Sequence, residues 1–209
     1  MDTVDPFFLT YFALGGKMKK ILVKPAECYL HIIDPQQSLM AHIHQSERVT
    51  AVIKLMLASA QILNIPVIAN TQYKKGLGGY VAELEPLMEG IPRPDKTEFS
   101  ALANAETRSL VDKLPGTINT LILVGVETHI CIYQTAMGAL ERGLIPWIVA
   151  DGVSSRSVEN HESGLAALRS AGARVGPAEM IIYELLGKAG TLQFKEILPF
   201  ILDFNKNIK

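Results

Sequence analysis

The chain is poor in cysteine: Cys28 and Cys131 are the only two in 209 residues. Two thiols make no disulfide framework, and such usage suits a reducing cytoplasm. Charge of neither sign dominates. Lys and Arg number 20 against 21 Asp and Glu, a formal net charge of −1, and no Lys/Arg block stands out. A nucleic-acid partner therefore has no electrostatic footprint in the sequence. No segment reaches the roughly 18 consecutive apolar residues of a membrane span. Repeats, low-complexity tracts and linkers are missing too. The length and the 48% share of hydrophobic residues then read as one globular domain with a substantial core.

The first 20 residues stand apart. Residues 6–14 are apolar, but Asp2 and Asp5 precede them and the basic cluster Lys17-Met-Lys-Lys20 follows. A secretory signal carries its positive charge first. Residues 1–20 are read instead as an extension to a single domain at 21–209. The extension either packs on a neighbour or lies upstream of a start near Met18.

What is present is an alternation of short apolar runs and helical patterns. Runs at 28–33, 66–69, 121–124 and 145–149, with a weaker one at 173–175, predict strands. Apolar residues at Val49, Val52, Ile53, Met56, Ala60 and Leu63 recur with helical spacing and predict a helix over 47–63. Ile132, Thr135, Ala136, Ala139 and Leu140 form another such face, closed by Gly143. Residues 158–171, 180–186 and 192–201 complete the set. Strands alternating with helices imply an α/β domain with a mainly parallel sheet covered on both faces. The stretch from Tyr73 to Lys96, rich in Gly and Pro, is the least regular and reads as a binding loop.

Three residues invite chemistry. Cys131 lies in Leu121-Ile-Leu-Val-Gly-Val-Glu-Thr-His-Ile-Cys131, a strand, a turn and the start of a helix. That places the thiol at the carboxyl edge of the sheet, where open α/β folds bind ligands. A helix N-terminus also lowers a thiol pKa. Cysteine is equally a common buried hydrophobe, which is the reading for Cys28. Asp34 ends the first strand before Pro35, as either a turn residue or a buried carboxylate at the mouth of the sheet. Lys96 reads first as a solvated loop lysine, although Pro92 and Pro94 stiffen its approach and Phe99 and Leu102 turn the chain inward. His129 lies two residues from Cys131 and cannot face it on a helix. No histidine set makes a metal constellation. Gln36 and Gln72, at two strand ends, are candidate polar contacts for a substrate. Tyr73 and Phe99 are candidate pocket aromatics, though such residues fit a core or an interface as well.

Taken in order, the pieces Ile32-Ile-Asp34-Pro-Gln-Gln, Lys96-Thr-Glu-Phe-Ser and Gly125-Val-Glu-Thr-His-Ile-Cys131-Ile-Tyr-Gln-Thr-Ala resemble the isochorismatase-like family of cysteine hydrolases. Asp151-Gly-Val-Ser-Ser-Arg156 and Gln193-Phe-Lys-Glu-Ile resemble its isochorismatase domain-containing branch. The resemblance covers residues 26–201. It implies a three-layer αβα fold with a six-stranded sheet. It also implies a catalytic triad, here Asp34, Lys96 and Cys131, and a cis peptide at Val126–Glu127 that aims the N–H groups of Glu127 and Cys131 at an oxyanion. The implied reaction is cleavage of an amide or related C–N bond of a small molecule through a Cys131 thioester, with no cofactor.

Two departures narrow it. Nicotinamidase-like members hold a metal with an Asp and two His near the end of the second strand, where this chain has Asn70-Thr71-Gln72. Enzymes that hydrolyse isochorismate itself lack the nucleophilic cysteine, so Cys131 points away from that substrate. Family members commonly form dimers or larger assemblies, and the mean hydropathy of +0.21 suits a buried homo-oligomer face. The competing account is a non-catalytic oligomeric binding protein that retains the fold. A redox role is weakened because Cys131 has no resolving cysteine nearby.

Overall fold

The structure, a computed structural model, describes residues 22–207. The expected extension at residues 1–20 lies outside them. Six strands form one sheet: β1 (Cys28–Ile33), β2 (Val67–Gln72), β3 (Asp95–Lys96), β4 (Thr120–Val126), β5 (Ile145–Ser154) and β6 (Arg174–Gly176). Their order is β3-β2-β1-β4-β5-β6, and every neighbouring pair is parallel. The sheet is thus wholly parallel, where the sequence predicted mainly so.

Apolar runs become central strands because both faces need covering. All of β1 and all of β4 are buried. Alternate residues serve opposite layers. Cys28, Leu30 and Ile32 of β1 face a core built with α1 (Ser46–Ile62), α5 (Ala178–Leu186) and α6 (Leu192–Asn207). Tyr29 and Ile33 face a second core with α3 (Tyr133–Glu141) and α4 (Val158–Ser170). The short α2 (Ala105–Asp112) sits on that second side, capped by Asn104, whose side chain accepts the Thr107 N–H at 3.0 Å.

The sheet reverses its winding between β1 and β4, both of which grow outward from there. Ligands gather at such a switch point, beyond the carboxyl ends of the strands. Here the two strands also draw close. Gly125 pairs with Ile33 and has φ +116°, and a Cβ at that position would lie 2.0 Å from the Ile33 carbonyl oxygen. Only glycine fits, so the two segments leaving this point, Asp34 and Val126–Glu127, start side by side.

Three expectations need correction. The edge strand β3 was not read, because two residues carry no alternation; pairing of Thr71 with Asp95 and Gln72 with Lys96 defines it. Helix α2 was not read either, since Thr107 is its only buried residue. Cys131 does not stand in the first turn of an α-helix. Residues Thr128–Ile132 form a wider π-helical turn, and the α-helix begins at Tyr133.

Candidate active site

Asp34 leaves β1 in the left-handed region, at φ 52°, and its N–H donates to Asn70 O at 3.2 Å. Aspartate tolerates that conformation better than most residues. The turn tips its carboxylate over the strand ends, where it is fully buried. Lys96 closes β3 and directs its side chain inward, with no exposed surface. Its Nζ donates to Asp34 Oδ2 at 2.7 Å and to Gln72 Oε1 at 2.6 Å, and meets Cys131 Sγ at 3.8 Å. An ammonium has three N–H groups, and those are three acceptors. Cys131 keeps 7% of its surface. The carboxylate, the amine and the thiol, far apart in sequence, therefore share one buried point at the switch.

Burial decides how these groups hold protons. Loss of water raises the Asp34 carboxyl to about 6, against the attraction of Lys96 and its hydrogen bond, and against the Cys131 thiol acting as a donor. Among the described residues Asp34 Oδ1 has no hydrogen-bond partner. Burial first, then the Asp34 charge, pushes the Cys131 thiol up to about 12 despite Lys96. The lowered thiol pKa suggested by a helix N-terminus is thus overturned, because that argument left out desolvation. Cys28 is fully buried and its thiol is also raised to about 12, chiefly by burial.

Gln36 is spent on the fold. Its Oε1 accepts the Gln72 N–H at 2.6 Å, and its Nε2 donates to Gln72 O and Gly78 O at 3.0 and 2.8 Å. Gln72 serves Lys96 through Oε1 and donates from Nε2 to Thr97 O at 3.0 Å. Tyr73 and Phe99 follow β2 and β3 on the same edge and are 51% and 54% exposed. Trp147 and Tyr80 belong to the core.

Asn70 was not singled out, yet it organises the centre. Its backbone carbonyl accepts from Asp34, and its Nδ2 donates to Pro94 O and Thr107 Oγ1 at 3.0 and 2.9 Å. Its Oδ1 lies 2.7 Å from His31 Nε2. A polar residue at a strand end was the only signal for it. Asn70, Thr71 and Gln72 do not suit a metal: their side-chain groups are engaged by His31, Pro94, Thr107, Asp95, Lys96 and Thr97. Among the described residues no group of three or more His, Cys, Asp or Glu is placed to hold an ion.

The turn after β4 is also tied down. The Val126–Glu127 peptide is cis. Glu127 is 6% exposed, and its carboxylate accepts from Arg156 N, Nε and a terminal guanidinium nitrogen at 2.9, 3.1 and 2.6 Å. Burial works against its charge, but the Arg156 bonds outweigh it and hold the carboxyl below its ordinary range. His129 Nδ1 lies 2.9 Å from Ser155 Oγ, engaged away from the thiol.

Comparison with known proteins gives the family and the fold. The isochorismatase domain family matches residues 28–180. Over 198 residues the chain is 32% identical to a secreted isochorismatase effector, Isc1, of Phytophthora sojae, covering 93% of this chain and 94% of that protein. It is 38% identical over 168 residues to isochorismatase domain-containing protein 2 of Danio rerio, covering 80% of this chain and 83% of the relative. Among solved structures, the MAR1 ribonuclease of Caenorhabditis elegans superposes with a TM-score of 0.80 at 34% identity, over 87% of this chain and 92% of that one. YcaC of Escherichia coli, described as an octameric hydrolase of unknown specificity, shares the fold with a TM-score of 0.81 at 18% identity, over 92% and 97%. No helix among the described residues is long and apolar enough to cross a membrane. Matched over most of its length in sequence and in architecture, the chain belongs to the isochorismatase-like hydrolase family, in its isochorismatase domain-containing branch.

Proposed function

We propose that the protein hydrolyses an amide or related C–N bond of a small molecule, with Cys131 as nucleophile. The observation that carries this reading is the buried contact of Lys96 Nζ with Asp34 Oδ2 at 2.7 Å and Cys131 Sγ at 3.8 Å. A carboxylate raised towards neutrality is a proton acceptor matched to physiological pH. In the proposed cycle Asp34 takes the thiol proton as Cys131 sulfur attacks the carbonyl carbon. The N–H groups of Glu127 and Cys131 receive the oxyanion. As the tetrahedral adduct collapses, the C–N bond breaks and Asp34 returns its proton to the departing amine, leaving a thioester. Asp34 then takes a proton from water, hydroxide adds to the thioester, and the C–S bond breaks. The sulfur recovers the proton and the acid product leaves. Lys96 orients Asp34 through its hydrogen bond to Oδ2.

Tyr73 and Phe99, exposed on that edge, are proposed to flank the substrate, and Gln72 to act through Lys96. The two free cysteines support a reducing compartment. Exposed apolar side chains on α5 and α6, including Met180, Leu192 and Leu202, support a homo-oligomer.

The test is a screen of amides, carbamoyl compounds and vinyl ethers against wild type and Cys131→Ala, with RNA as a further arm because one relative is named a ribonuclease. The reading expects turnover of a C–N substrate that disappears in Cys131→Ala, with an acyl adduct on Cys131 by mass spectrometry. Undiminished turnover in the variant would overturn it.

A further inference from the structure

We propose that Arg156 is a positioning residue for the oxyanion site, holding the Glu127 peptide in place through the Glu127 side chain. The inference rests on the reading of Cys131 as a nucleophile. It starts from an asymmetry. The Glu127 carboxylate is nearly buried, at 6% exposure, while the Arg156 side chain is 62% exposed. A surface arginine reaching back to an interior carboxylate uses its fork on both oxygens, the geometry that fixes direction as well as charge. The Arg156 backbone N–H adds a third bond at 2.9 Å. The carboxylate is therefore fastened to the main chain beyond β5, not only to a side chain that can swing.

The next two residues repeat the pattern. Thr128 Oγ1 lies 2.9 Å from His161 Nδ1, and His129 Nδ1 lies 2.9 Å from Ser155 Oγ. Glu127, Thr128 and His129 are thus each tied by a side chain to the segment 155–161. Behind them α4 presses close. A Cβ on Gly164 would stand 3.0 Å from His129 N. On its other side the Glu127 carbonyl accepts the N–H groups of Ile130 and Ile132, at 3.1 and 3.2 Å. The turn that leads from β4 to Cys131 is held from both ends. None of these bonds touches Cys131 Sγ, Asp34 or Lys96. Arg156 is accordingly assigned to where the oxyanion would be received, and not to making the thiol reactive. A misplacement of about 1 Å in such a site costs on the order of 100-fold in rate.

Two reagents separate those roles. Acylation of Cys131 by p-nitrophenyl acetate passes through a tetrahedral oxyanion; alkylation by iodoacetamide displaces iodide directly and forms none. Arg156→Ala removes clamp and charge together. Arg156→Lys keeps the charge and loses the fork, and serves also if the alanine variant fails to fold. The expected result is a loss of about tenfold or more in the p-nitrophenolate burst in both variants, with Cys131 alkylation within about twofold of wild type at the same pH. An unchanged burst in both variants overturns the assignment, and so does a parallel fall in acylation and alkylation. A wild-type burst no larger than that of Cys131→Ala would instead overturn the nucleophile reading itself, and with it this one.

Discussion

Asp34→Asn should make Cys131 more reactive while making the protein a poorer hydrolase. The Asp34 charge is the second cause, after burial, that keeps the thiol protonated. Its effect can be bounded from two contacts. Sγ lies 3.8 Å from Lys96 Nζ, which lies 2.7 Å from Asp34 Oδ2, so sulfur and oxygen are no farther apart than those two legs end to end. At about 6 Å and an effective dielectric of roughly 20, two unit charges interact by about 3 kcal/mol. That corresponds to about two pKa units. Removing the carboxylate also leaves the thiolate facing Lys96 without a carboxylate hydrogen-bonded between them. A fall of two units raises the thiolate fraction near neutral pH by about 100-fold. A less basic thiolate is also a weaker nucleophile, with a sensitivity of about 0.4–0.5, which takes back about tenfold. Alkylation by iodoacetamide should therefore be about tenfold faster than in wild type. Turnover and acylation should fall, because no base takes the proton from water or returns one to the leaving group. The assay is site-resolved mass spectrometry of Cys131 against the buried Cys28, from about pH 6 to 9. Alkylation of the variant at or below the wild-type rate across that range would refute the electrostatic account.

Two stability measurements follow from the same geometry. The folded Asp34 carboxyl titrates at about 6 against an ordinary 3.8, so this group's contribution is full below the ordinary value and is lost as pH rises through 6. Urea denaturation should show wild type losing about 2 kcal/mol between pH 4 and 7 that Asp34→Asn does not lose; equal slopes would refute it. Gly125→Ala places a Cβ 2.0 Å from the Ile33 carbonyl oxygen at φ +116°, so it should destabilise by about 4 kcal/mol or more. A denaturation midpoint near that of wild type would refute the close approach of β1 and β4.

The parts of the fold legible in the sequence were those driven by burial. Strands β1, β4 and β5 announce themselves because a parallel strand covered on both faces must be apolar throughout. Helix α1 does so because Val49, Val52, Ile53, Met56 and Ala60 all face one core. Elements held by other means left no periodic trace. Strand β3 exists through two pairings at an edge, and α2 through a cap and one buried threonine. The site divides the same way. Asp34 and Cys131 could be placed from strand ends. Lys96 could not, since nothing in its loop shows that an edge strand carries it inward; only the ordered motifs pointed to it. Gln36 looked like a substrate contact because it follows β1. Its amide instead ties the loop after β2 to the end of that strand, a role set by the bridge between Gln36 and Tyr80. No local pattern encodes a partner 44 residues away.

The raised thiol bears on how such a site would work. With the carboxyl near 6 and the thiol near 12, the resting proton stays on sulfur, and the ion pair in the pocket is Asp34 with Lys96. A site of this kind does not store a thiolate. In the proposed reaction the thiol proton passes to Asp34 as the carbon–sulfur bond forms, so that negative charge moves from the carboxylate to the carbonyl oxygen without resting on sulfur. The stabilisation that makes this possible has to sit where the charge arrives, which is the turn at Glu127, and not where it departs. In that proposal the interactions around Glu127, Thr128 and His129 would matter as much as the trio below them: the thiol's own surroundings, dominated by burial, work against ionisation. Under the proposed mechanism, reactivity would depend on a bound carbonyl, and selectivity on which substrates can place one against that turn.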